Sequence, residues 1–135
     1  VEPRKVNKLE ALQMYYKEAD SLNEELPGDL MKKLKLYGKI LEIIGFLHAA
    51  ALKDWKIAEA TRKETISKCF TYNPNGTAKE REMQAEFAAS EHRKTEAQAE
   101  ASCMRWKNAY NSTTEIINIL KIQLRDMKDL NSGGV

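Results

Sequence analysis

With 135 residues, 42% of them apolar but only 7% aromatic, the chain can fill one long, thin core more readily than a thick one. No run approaches the roughly 18 uninterrupted apolar residues of a membrane span, and VEPRKVNKLE carries no apolar h-region, so the reading is an intracellular, cytoplasmic protein without a membrane partner. A net charge of +2 calls by itself for neither nucleic acid nor a lipid surface, while 31% charged residues with three Pro and six Gly is helical composition.

The first periodic segment, 5–23, sets Leu9, Leu12, Tyr16, Ala19 and Leu22 at helical spacing. ELPGD ends it: Pro27 disfavours helical geometry at Leu26, Gly28 is permissive, and Asp29 suits the free amides of a following helix. A second helix is expected over 29–70. Its seam, Leu34, Tyr37, Leu41, Ile44, His48, Ala51, Trp55 and Ala58, alternates spacings of three and four. A parallel stripe of Leu36, Ile40, Ile43, Leu47, Ala50 and Ile57 makes the apolar face too wide for one neighbour.

KCFTYNPNGTAKE follows, the one place where strong turn formers crowd together. Thr77 with Glu80 reads as a capping box opening a third helix over 77–130. Its seam is Ala85, Ala89, His92, Glu96, Ala99, Cys103, Trp106, Tyr110, Thr113, Ile117, Leu120, Leu124 and Met127, and the helix is expected to be continuous, with NSTT at 111–114 the one place where it could bend or break and 131–135 a flexible tail. Two such helices must reverse on each other. The fold class is therefore all-α: a single domain, 1–135, built as an elongated, coiled-coil-like antiparallel hairpin with a short additional N-terminal helix. Folding about Pro74 sets Ala49, Ala50 and Ala51 opposite Ala97, Ala99 and Ala101, where small residues let the axes approach.

The same pairing holds Cys103 far from Cys69, so both thiols are expected free. His48 and Cys103 share a level but lack further ligands, and the His92 and Glu96 pair has no counterpart on the facing helix. Neither is taken as a metal site. There is no Gly-rich phosphate loop, no nucleophile elbow and no carboxylate pair with a pocket around it, so no enzyme and no cofactor are expected.

Charge is distributed unevenly. Residues 30–68 hold nine basic and four acidic groups, whereas residues 1–29 hold four and seven. Lys32, Lys33, Lys35 and Lys39 begin this basic segment; Lys53, Lys56, Arg62, Lys63 and Lys68 continue it, and Lys79 and Arg81 follow across the turn. Such groups gain affinity for phosphate by releasing counterions, and Phe70 or Tyr72 beside them offers a stacking surface for an unpaired base. Interleaved Asp54, Glu59, Glu64, Glu80 and Glu82 also fit an ordinary solvated face. In EIINILKIQLRDMKDL, apolar residues at 116, 117, 119, 120, 122 and 124 wrap more than one face, as expected of a subunit contact.

This order of elements, a short helix, a basic helix carrying Trp55, a turn, KEREMQAEFAASEHRKTEAQAEA, Trp106 and a tail ending LRDMKDL, resembles the UvsY family of phage recombination mediators over about residues 30–130. The resemblance implies a phage-encoded, all-helical homo-oligomer acting in an infected bacterium. It would bind single-stranded DNA and help a recombinase displace single-strand-binding protein. On this chain Lys53, Lys56, Arg62, Lys63, Lys79 and Arg81 would contact DNA, joined by Lys68 and Tyr72 from the charge pattern. Ile116, Leu120 and Leu124, with Ile119 and Met127, would hold subunits together. The rival reading is a helical-hairpin adaptor or inhibitor that binds protein and has no affinity for DNA.

Overall fold

The computed structural model describes residues 6–133. They form four helices, α1 (Lys8–Asp20), α2 (Pro27–Tyr72), α3 (Ala78–Ala88) and α4 (Ser90–Gly133), with no strand among the described residues. The two long helices, α2 and α4, pack closely as a hairpin, and α1 is the short additional helix.

Local chemistry sets the helix ends. Asn7 caps α1, its Oδ1 accepting from the Glu10 amide at 2.8 Å. The helix stops at Asp20, earlier than Asn23, because Ser21 turns back on Glu18 and Asn23 is engaged in the next turn, where its Oδ1 accepts from Glu25 N–H. Lys5, the expected start, lies outside the described residues. α2 begins at Pro27 rather than at Asp29, since a proline in the first turn has no amide to leave unpaired. Asp29 reaches backward, accepting from Asn23 N–H at 3.1 Å, so it braces the preceding turn instead of capping α2.

The turn after α2 contains the reciprocal capping box. Thr77 Oγ1 accepts from Glu80 N–H at 3.2 Å, and Glu80 Oε2 accepts from Thr77 N–H at 3.3 Å. Gly76 holds φ of +106°, a conformation strained for any other residue, and a Cβ there would lie 2.7 Å from Glu80 Oε2, so it would also displace the carboxylate that closes the box.

The run assigned to one helix over 77–130 is interrupted at Ala89, not at NSTT. Ala89 moves to φ −89°, ψ −2°, while its amide still donates to Ala85 and its carbonyl accepts from Arg93. Arg93 spans the break in a two-pronged pair with Glu86, both bonds 2.8 Å. At 111–114 the helix continues, with Thr113 3% exposed and the Thr114 hydroxyl donating to Tyr110 O. Helical backbone also replaces the expected tail as far as Gly133; residues 134–135 lie outside the described residues.

Packing divides the chain into two compact units. In the first, which extends to Phe46 and resumes at Lys107, Leu12 and Ala19 of α1 join Leu30, Leu36, Tyr37, Ile40 and Ile44 of α2 and Thr113, Leu120 and Leu124 of α4. Tyr16 meets Tyr37 edge-on at 6.2 Å, and Leu30, Ile40 and Ile44 are fully buried, each contributing about 1.5–3 kcal/mol. Burial pushes the Tyr37 phenol above its ordinary value.

The second unit, Leu47–Trp106, has a core of small residues: Ala51, Ala58, Ala85, Ala89 and Cys103. The expected meeting of three alanines with three is not formed. Ala49, Ala50, Ala97 and Ala101 are exposed, leaving Ala51 buried and Ala99 half-buried. Successive helical residues diverge by about 100°, so neighbours in sequence cannot share one inward face.

Candidate functional site

The basic positions of the second unit fall into two structural groups. Arg62 and Arg81 are engaged inside the fold. Arg62 spans from α2 to α4, its guanidinium donating through Nε and Nη2 to Glu96, with side-chain exposures of only 19% and 18%. That hydrogen bond raises the Arg62 pKa further above its ordinary value. Arg81 Nη2 donates to the Phe70 carbonyl at 2.6 Å, with its guanidinium 5.2 Å from the Phe70 ring centre. α2 has no basic residue in its own last turn, and Arg81 supplies the cation that its free carbonyls favour. Each arginine is thus matched to an acceptor within the protein.

The lysines point outward. Lys53, Lys56, Ala60, Lys63, Ser67 and Thr71 recur at spacings of three and four along α2 and are all exposed. Lys56 and Lys63 flank Glu59 at 3.4 and 2.9 Å, and Lys68 pairs with Glu64 at 2.8 Å. These lysine bonds hold the Glu59 and Glu64 carboxyls below their ordinary range. The lysine side chains nevertheless stay 60–64% exposed, so the pairs are solvated and easily exchanged for another anion. Lys53 and Lys79 are exposed and make no ion pair with any described residue. The row, continued by Lys68, spans about 22 Å from Lys53, and exposed Ile57 and Glu64 share its face with Ala60 and Ser67.

At the end of α2, Tyr72 is 75% exposed. Beside it an open groove of about 560 Å³ is lined by Cys69, Asn73, Met83, Gln84, Phe87 and Ala88. Met83 and Phe87, 65% and 84% exposed, were not singled out from sequence. Their signal was an apolar pair four residues apart, off the Ala85 and Ala89 seam.

The proposed subunit contact also separates into two groups. Leu120 and Leu124 are 3% and 8% exposed, part of the chain's own core, because the seam of α4 turns them toward α2. Ile116 and Ile119 remain 37% and 54% exposed and line a groove of about 250 Å³ with Glu24, Lys33, Tyr37, Leu120 and Gln123. Met127 is half-buried and shares a neighbouring groove with Glu25, Pro27 and Leu130. Gln123 Oε1 is buried without a hydrogen-bond partner, while Lys33 and Glu24 pair at 2.8 Å across the groove and hold the Glu24 carboxyl low.

His48 is half-buried and Cys103 buried, and no group of three metal-ligating side chains gathers among the described residues. Glu96 is taken by Arg62. His92 lines a separate groove of about 200 Å³ with Asp54, Ile57, Ala58, Thr61 and Thr95. Both thiols are free, Cys69 half-buried and Cys103 buried. No described helix is long and apolar enough to cross a membrane. Comparison of the chain with protein-family models, curated proteins and solved structures finds no match.

Proposed function

We propose that the protein is a non-enzymatic, self-associating binder of single-stranded DNA, acting as a recombination mediator of the UvsY type that helps a recombinase displace single-strand-binding protein. The observation that carries the reading is the outward lysine row of α2, whose side chains stay solvated even where they pair with Glu59 and Glu64. Lys53, Lys56, Lys63, Lys68 and Lys79 contact phosphates, and Tyr72 stacks on a base. Arg62 and Arg81 act indirectly, one holding α2 to α4 and the other fixing the turn that presents Tyr72. Self-association uses Ile116 and Ile119, with Met127 at the margin.

Labelled oligo-dT titrated at several salt concentrations tests this reading. Five phosphate contacts predict a log–log salt slope of about −3.5, at roughly −0.7 per contact on a single strand. A Lys53→Glu/Lys56→Glu/Lys63→Glu variant binds at least about tenfold more weakly at low salt and keeps its helical circular dichroism. Failure of the wild-type protein to bind at low salt sinks the reading. The exposed Met83 and Phe87, which line one groove, then favour the protein-binding adaptor, since contiguous exposed apolar side chains mark protein contacts.

A further inference from the structure

The turn between α2 and α3 contains a chemical feature that neither the hairpin nor the lysine row uses. The sequence has eight asparagines, and their surroundings differ. Asn108, Asn111, Asn118 and Asn131 lie in α4. Asn7 and Asn23 use their side-chain oxygens to accept from Glu10 and Glu25 amides. Asn73 precedes Pro74, which has no N–H, and its own amide donates toward Cys69 Sγ at 3.8 Å. Asn75 alone is exposed, outside any helix, without a side-chain hydrogen bond to a described residue, and followed by glycine.

We propose that Asn75–Gly76 is a site of spontaneous backbone-assisted deamidation, and that its isoaspartyl product dismantles the start of α3. The Gly76 amide nitrogen, on losing its proton to solvent base, attacks Asn75 Cγ. The new N–Cγ bond closes a five-membered succinimide as the Cγ–Nδ2 bond breaks and ammonia leaves. Water then adds to one of the two ring carbonyls. Opening at Cγ returns the ordinary chain with aspartate at 75; opening at the main-chain carbonyl leaves the chain running through Cβ and Cγ as isoaspartate. Water replaces ammonia in both products, and nothing is oxidised or reduced. Gly76 favours the attack because no Cβ shields its nitrogen, and the absence of helix leaves the Asn75 backbone free to turn.

The two products affect the fold differently. Aspartate adds a negative charge just before the N-terminus of α3, where the helix dipole accepts it. Isoaspartate inserts a methylene into the main chain directly before Gly76. Gly76 is the residue whose φ of +106° sets Thr77 and Glu80 into their reciprocal bonds and precedes Arg81, which docks on Phe70 O. That register cannot be kept with an extra backbone atom.

The full-length protein is incubated in mildly alkaline buffer at physiological temperature and sampled over time by peptide mapping that separates aspartyl from isoaspartyl peptides. Asn75 converts at least about tenfold faster than Asn108, Asn111 or Asn118, whose reaction waits on local opening of α4. Asn73 stays intact, and an Asn75→Gln variant shows no conversion at 75. Conversion of Asn75 no faster than Asn111 in the same sample overturns the site. The purified isoaspartyl form melts below an Asn75→Asp variant. Equal melting temperatures overturn the effect on α3 while leaving the modification itself measured.

Discussion

At the scale of single residues, glycines divide by what surrounds them. Gly76 combines left-handed backbone with a carboxylate oxygen 2.7 Å from where a Cβ would sit, so Gly76→Ala strains the backbone and breaks the capping box together. The expected cost is about 1–3 kcal/mol, read as a lower urea midpoint at unchanged slope. Gly38 is the opposite case: it lies exposed inside α2 with nothing within 4 Å of a built Cβ. Gly38→Ala therefore removes unfolded-state entropy without a clash and stabilises by about 0.4–1 kcal/mol in the same measurement. Glycine substitutions of opposite sign in one chain follow from these two environments, not from helix propensity alone.

At the scale of elements, α2 and α4 are held together by a periodic seam and a charged tie. The seam was legible in the sequence because helical period dictates it: of the thirteen positions read from Ala85 to Met127, only Tyr110 is exposed, at 40%. The capping box was legible too, since both its partners lie within four residues. Ala89 was not, because alanine is the strongest helix former and every local preference favoured continuation there. Nor was the use made of the arginines, whose acceptors lie 34 and 11 residues away and meet them only after folding. Charge in the sequence does not distinguish a solvated lysine from Arg62 or Arg81, which the fold matches to acceptors. Reversal tests the Arg62 assignment: Arg62→Glu lowers the melting temperature, and adding Glu96→Arg recovers part of the loss, a coupling measurable by a double-mutant cycle. Acid dependence belongs to this scale as well. Glu24, Glu59 and Glu64 are held below their ordinary 4.5 by hydrogen bonds from Lys33, Lys63 and Lys68 respectively. Their stabilising contribution is complete above that ordinary value and is lost as pH falls through the lowered folded values. Thermal melts are therefore level from neutrality to about pH 5 and move to lower temperature below it, with a smaller shift in high salt because these pairs are solvated.

At the scale of the whole molecule, the proposed functions use different units: the lysine row belongs to the second and the Ile116 and Ile119 face to the first. They can therefore be separated by mutation. Ile116→Asp/Ile119→Asp places charge on half-exposed side chains and leaves Leu120 and Leu124 in the core, so the variant keeps the wild-type helical signal while light scattering falls to the monomer mass. Leu120→Asp is the control, since a buried charge at a 3% exposed position lowers stability by several kcal/mol instead of only blocking association. A wild-type chain that scatters as a monomer at every concentration defeats the contact outright. If the contact holds, linking subunits converts later phosphate contacts on one strand into intramolecular events, so affinity for long oligo-dT exceeds that for short oligo-dT. That length dependence disappears in the Ile116→Asp/Ile119→Asp variant while short-strand binding, set by each subunit's own lysines, is unchanged. Equal length dependence in the monomeric variant would mean that chain length acts through the row alone, with self-association contributing nothing to binding.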